Sequence, residues 1–127
     1  MHDFFFIKLE KIYFKLKFSE ILYIRAEKKY VHIVTATKSH LLLTSISQIE
    51  KLLPQHLFCR IHRSFIISFE HTNKFNCGFA YTGNKKIPIS EQYKNVLKSS
   101  LIILTGEMPT HNLDNGDVDR LLNDIGT

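Results

Sequence analysis

Residues 58–69 read FCRIHRSFIISF, two short runs rich in β-branched and aromatic side chains around a polar His-Arg-Ser break. Such runs fit strand or extended chain better than helix. Phe58, Ile61, Phe65 and Ile67 are the expected core residues of the stretch, and Cys59 is a bystander. His62 is expected to hold the break by a ring-to-backbone bond, leaving Arg63 and Ser64 to face outward. A loop residue is free to serve a partner when the elements on either side carry the packing.

The segments upstream carry the same β character. An apolar run at Phe4 begins a strand, and residues 8–11 turn it. Residues 12–18 (IYFKLKF) alternate, with Tyr13, Lys15 and Lys17 on one face and Ile12, Phe14, Leu16 and Phe18 on the other, the pattern of a half-buried strand. The runs ILYIRAE and YVHIVTA flank a Lys28-Lys29 tip and read as a hairpin, although two lysines are not a favoured turn pair. A short strand at 40–43 leads to the one convincing early helix. Ser45 and Gln48 have capping-box spacing, Ile46, Ile49, Leu52 and Leu53 follow at helical intervals, and Pro54 ends the run.

Downstream, residues 72–76 and 78–82 read as short strands, Gly83-Asn84 is a turn signal, and residues 85–89 pair back. Ser90 is a candidate cap for a last helix with Tyr93, Leu97 and Leu101 on one face. The expected fold is therefore mainly β, about ten short strands with two short helices, in a single domain over residues 1–104. Residues 105–127 differ: turn residues are frequent and apolar content falls, so an acidic, flexible tail is expected there, with at most a marginal amphipathic helix over 117–125.

Charge is divided along the chain. Residues 1–104 hold 16 Lys and Arg against 7 Asp and Glu, whereas residues 105–127 hold one Arg against five acids. A basic body attracts a polyanion, nucleic acid or an anionic membrane, but charge alone fits a solvated surface equally well. The apolar N-terminal run is too short for a signal peptide or a span, and the two cysteines make no framework, so a cytoplasmic protein with reduced thiols and no membrane partner is expected. The acidic tail could lie back on the basic face, although a solubilising end is the simpler account.

Little in the chain points to catalysis. Seven histidines make no HxxxH or HExxH pair, and there is no GxSxG, P-loop or GxGxxG, so neither an enzyme nor a metal or cofactor is expected. The spacing of Cys59 and His62 could suggest a thiol nucleophile, but a buried cysteine near a structural histidine is the plainer reading. Basic residues gather at tips and just past strand ends: Lys28, Lys29, Lys38, Arg60, Arg63, Lys74, Lys85, Lys86 and Lys94. Exposed tips can reach phosphates. Arg63 is the best base reader among them, because its planar fork can take guanine O6 and N7 together. His32 offers a second polar contact, and Ser64, Asn84 and Gln92 are neutral donors.

The order of these pieces resembles the LytTR family of bacterial transcription regulators. The resemblance runs from about Phe5 to Leu101 and rests on ILYIRAEKKYVHIVT (21–35), SISQIEKLLPQHLFCRIHRSFIIS (45–68) and NKKIPIS with a following Tyr-containing helix (84–93). It implies a fold of several small β-sheets whose loops enter major grooves of double-stranded promoter DNA at direct repeats. Many members of the family are the output half of a two-component response regulator, joined to an N-terminal receiver domain, so the chain is expected to be either such an output fragment or a stand-alone regulator; a monomer in isolation, with pairing into a dimer on DNA, is the expected state. By position, the resemblance puts Arg63 at a base contact from the His-Arg-Ser loop. It puts Val31 or His32 at a base contact from the first hairpin, His32 as a polar reader or Val31 against a thymine methyl; strand alternation lets only one of them point at DNA. Lys28, Lys29, Ser64, Gln92 and Lys94 fall at phosphate positions. Glu91 stands where the family often has Arg. Either it accepts from cytosine N4 or it only supports the helix N-terminus, and the second is favoured. The alternative function is a protein-interaction or regulatory module that kept the fold and lost DNA recognition. Basic tips forming one continuous face would favour DNA, and scattered tips would favour that alternative.

Overall fold

The computed structural model describes residues 2–108. Ten strands form three antiparallel sheets, with two short α-helices. β1 (Phe4–Leu9) and β2 (Ile12–Lys17) make a hairpin. β3 (Ile21–Glu27), β4 (Tyr30–Thr35), β5 (Ser39–Leu43), β6 (Phe58–His62) and β7 (Phe65–Ser68) make the central sheet in the order β5-β4-β3-β7-β6. β8 (Thr72–Phe75), β9 (Phe79–Thr82) and β10 (Lys85–Pro88) make a third sheet. α1 (Ile46–Leu52) lies between β5 and β6, and α2 (Lys94–Ser99) follows β10. These are the mainly β fold and the two helices expected from the sequence.

Two cores sit on opposite faces of the central sheet. Directly paired residues in an antiparallel ladder share a face. Ile24, Ile33 and Ile66 are cross-strand neighbours and pack with Val31, Ile7 and Leu16 of the hairpin and Ile46 and Ile49 of α1. On the other face, Ile67 neighbours Tyr23 and Cys59 and packs with Ala80 and Ile87 of the third sheet and Leu97 of α2. This explains a difference from the sequence reading, in which Phe65 and Ile67 are the expected core residues of this strand and Ile66 is not. In β7 both Ile66 and Ile67 are buried while Phe65 is only half-buried, because an inner strand between two cores has no solvent face.

The opposite difference occurs in β2. Only Leu16 of its apolar face is buried, while Ile12 is 59% exposed and Phe14 39%. A two-stranded hairpin buries only the part of its face that overlies the sheet. Ser45 caps α1 by accepting from the Gln48 N–H at 3.2 Å, but the reciprocal bond of a capping box, from the Ser45 N–H to the Gln48 side chain, is not formed among the described residues. Ser90 makes no side-chain cap, and its hydroxyl is buried without a hydrogen-bond partner among the described residues. A 3-10 turn, Glu91–Tyr93, begins the last helical segment instead. After α2, residues 102–108 form no regular element. The expected tail beyond residue 108 and the helix over 117–125 lie outside the described residues.

Ile66→Ala is expected to cost about 2–5 kcal/mol, as a cavity between packed layers does. Ile12→Ala should stay within about 0.5 kcal/mol. Urea unfolding of the two variants checks the assignment, and equal costs would contradict it.

Candidate nucleic-acid interface

One end of the central sheet gathers three chain crossings. The β3–β4 turn carries Lys28 and Lys29, and the β6–β7 turn carries Arg63 and Ser64. The Ala26 N–H donates to the Ser64 carbonyl at 2.8 Å, so the two turns are neighbours. The third crossing leads from β10 to α2: the Ser90 N–H donates to the Ile61 carbonyl at 2.9 Å and brings Glu91, Gln92 and Lys94 beside the end of β6. Lys28 adopts a φ of 58°, the left-handed region that favours glycine. A two-residue turn needs such a residue, which is how a Lys-Lys pair closes this hairpin.

Other basic tips lie elsewhere. Lys38 follows β4 at the opposite end of the sheet, where Thr35 pairs with Ile21. The Gly83-Asn84 turn joins that end too: the Gly83 N–H donates to the His71 carbonyl, and His71 Nε2 lies 2.6 Å from the Ser19 carbonyl. Lys74 sits over the Tyr81 ring and Lys86 over the Phe79 ring, at 5.0 and 4.1 Å from the centroids. The basic tips are thus divided between two ends of the molecule.

The Arg63 turn is bonded on several sides. His62 Nδ1 accepts from the Ser64 N–H at 3.0 Å, the ring-to-backbone bond expected of it. Burial, and then the neighbouring Arg63 and Arg60 charges, hold the His62 pKa below its ordinary value. Arg60 differs from its expected role. Its side chain is 14% exposed, and the guanidinium turns inward. Nε donates to the His62 carbonyl at 3.3 Å and Nη2 to the Arg63 carbonyl at 2.8 Å. Nη1 reaches Ser47 Oγ and Glu50 Oε1 of α1, both at 3.1 Å. Arg60 is therefore not available to phosphate. The ladder is irregular between Arg60 and His62, and a bulge of this kind re-aims side chains. Arg63 itself is exposed and has no ion-pair partner among the described residues.

At the hairpin, alternation separates the two candidates. Val31 is fully buried in the core with Ile24 and Ile33, so the apolar contact from Val31 to a thymine methyl is corrected: its side chain cannot reach a groove. His32 points to the opposite, open face, paired across β3 with Arg25 and across β5 with Leu41. Its Nε2 lies 3.4 Å from Glu27 Oε2, and that carboxylate also takes Arg25 Nη1 at 2.5 Å. The Arg25 hydrogen bond and charge hold the Glu27 carboxyl below the usual carboxylate range. Sequence reasoning missed Arg25 and Glu27. Their i, i+2 spacing on the strand face that carries His32 was the available signal.

Glu91 pairs with Lys94 at 2.7 Å, which lowers the carboxyl pKa and raises that of the ammonium. It thus sits in the first turn of the helical segment, neutralising a lysine expected at phosphate. Gln92 is exposed beside it. The thiol–imidazole pairing is not formed: Cys59 Sγ lies 3.6 Å from the Arg60 carbonyl, and burial pushes the thiol pKa up. Among the described residues no group of His, Cys, Asp and Glu is placed to hold a metal ion, and no helix is long and apolar enough to cross a membrane.

A profile of the LytTr DNA-binding domain matches residues 11–102. The chain belongs to this family, a class of DNA-binding domains of transcription regulators. It is 33% identical over 90 residues to the sensory transduction protein LytT of Bacillus subtilis strain 168, covering 66% of this chain and 37% of that protein. It is 28% identical over 103 residues to LytT of Bacillus anthracis, covering 76% of this chain and 42% of that one. The chain thus spans about two fifths of the length of these relatives. A solved LytTr DNA-binding domain of a putative methyl-accepting/DNA response regulator from Bacillus cereus superposes with a TM-score of 0.66 at 22% identity, over 79% of this chain and 97% of that one.

Protonating His62 would turn the acceptor of the Ser64 N–H into a donor and add a cation beside Arg60 and Arg63. A folded pKa below the ordinary 6.5 means that the unfolded chain takes up the proton first as pH falls. The stabilisation is complete above the unfolded pKa and is lost as pH falls through the folded one. Denaturant unfolding should show lower stability at pH 5 than at pH 7.5, with a smaller difference in His62→Gln. Equal stability at both pH values would refute this.

Proposed function

We propose that this chain binds double-stranded DNA sequence-specifically as the output domain of a transcription regulator. One observation carries the reading: Arg63, exposed and unpaired among the described residues, stands on a turn whose backbone is bonded by Arg60, His62 and Ala26, next to Lys28 and Lys29. A planar fork on an ordered base suits guanine O6 and N7 in the major groove, and the adjacent lysines suit phosphate. His32 is the second base reader, and Ser64 and Gln92 are neutral backbone contacts. Lys94 contacts phosphate by exchanging Glu91 for it. Glu91 supports Lys94 and the helix start rather than reading cytosine. Successive turns enter successive grooves at direct repeats, with a monomer in isolation pairing on DNA.

The remaining features of the proposal concern the larger molecule. The domain proper is residues 1–104, followed by the acidic segment. The chain works in the cytoplasm behind an N-terminal receiver domain in a two-component system, without enzymatic activity or a cofactor. The LytTr profile match and the short span relative to LytT support this reading.

The second reading, a protein-interaction module that has lost DNA recognition, is favoured by the division of basic tips between two ends and by the Glu91–Lys94 pair. Sequences selected from a random duplex pool, followed by gel shifts at several salt concentrations, separate the two. Arg63→Ala should cost about 1–3 kcal/mol on the selected site and relax its sequence preference. Lys29→Ala should weaken all duplexes alike and reduce the salt slope by about one. No selected sequence and no salt dependence would leave the interaction module standing.

A further inference from the structure

We propose that Arg60 is the positioning residue of the base-reading turn, fixing Arg63 by binding the turn's own carbonyls. The inference rests on the DNA-reading function proposed above. At the end of β6 the His62 and Arg63 carbonyls point to one place, and the Arg60 guanidinium takes both, through Nε at 3.3 Å and Nη2 at 2.8 Å. The Ser64 N–H and carbonyl are taken by His62 Nδ1 and the Ala26 N–H. Four polar groups of the backbone between His62 and Ser64 that would otherwise depend on water are thereby held by protein.

The other edge of the same guanidinium ties the turn to the fold. Nη1 bonds Ser47 and Glu50 of α1, and α1 is seated in the first core by Ile46 and Ile49. The guanidinium carbon also lies 5.8 Å from the centroid of the Tyr93 ring, in the segment that carries Glu91 and Gln92. One planar cation thus references the Arg63 turn to α1 and to the third crossing at once. A lysine ammonium has the charge but not the flat fork that meets two carbonyls and a carboxylate in one plane. Because Glu50 offsets its charge and it is mostly buried, Arg60 acts on the aim of Arg63 rather than on phosphate attraction.

Two readouts on the purified chain test this. Amide exchange at Ser64, measured without DNA, reports the order of the turn. The ratio of affinities for a selected duplex and an unrelated duplex, at fixed salt, reports the aim of Arg63. Arg60→Lys should speed Ser64 exchange about tenfold and lower the affinity ratio about tenfold. In an Arg63→Ala background the same substitution should lower the ratio no further, since the residue that it aims is gone. Unchanged exchange and ratio in Arg60→Lys, or additive losses in the double variant, would overturn the proposal. If Arg60→Lys fails to fold, Ser47→Ala combined with Glu50→Gln loosens the brace with Arg60 in place; faster Ser64 exchange there supports the proposal and unchanged exchange overturns it. If the wild-type chain distinguishes no duplexes, the DNA-reading function fails, and exchange alone decides the role of Arg60.

Discussion

The pairing of β3 with β7 is the constraint on which the rest of the molecule depends. Ile24 opposite Ile66 and Tyr23 opposite Ile67 put apolar side chains on both sides of a two-strand ladder. Each fully buried isoleucine is worth about 1.5–3 kcal/mol relative to exposure, so neither face can be left to water. The hairpin and α1 cover one face, and the third sheet and α2 cover the other. The turns that leave this ladder at one end inherit its rigidity. The register that opposes Arg25 to Phe65 also sets Ser64 beside Ala26 and the Lys28 turn beside the Arg63 turn.

Net charge describes the candidate interface poorly. Three of its cations are spoken for: Arg25 by Glu27, Lys94 by Glu91 and Arg60 by Glu50. Among the described residues, Lys28, Lys29 and Arg63 have no such partner. The three pairs are not equivalent. Exposed ion pairs contribute about 0–1 kcal/mol, so Lys94 could change partners for a phosphate at little cost. Arg60 is mostly buried and satisfied by carbonyls as well as by Glu50, and removing it would strand several polar groups at once. An arginine grouped with the phosphate-reaching tips is thus part of the scaffold, and Glu91, which stands where the family often has Arg, is a local counter-ion to Lys94.

His62 and Arg60 share one task from different chemistry. The imidazole must stay neutral to accept from the Ser64 N–H, whereas the guanidinium has only donors to offer. The turn is therefore sensitive to acid through His62. A backbone held by both presents the Arg63 side chain from an ordered base, which reduces the order that binding itself must supply.

The sequence by itself determined the β class, most strand positions, the Ser45 cap and the exposure of Arg63, because alternation, capping and turn chemistry are local. It also carried the family resemblance, since the order and spacing of short motifs survive without coordinates. Tertiary structure decided the rest. Whether Ile66 is buried depends on a second layer packing over β7, and whether Ile12 is exposed depends on how far the hairpin overlies the sheet. The parity of β4 selects one of Val31 and His32 for the open face, but only the location of the first core says that Val31 is the one lost inside. Arg60 looked like its neighbour Arg63 because residue type and spacing do not record where α1 lies; its partners Ser47 and Glu50 are 13 and 10 residues away, and only folding brings them to the turn.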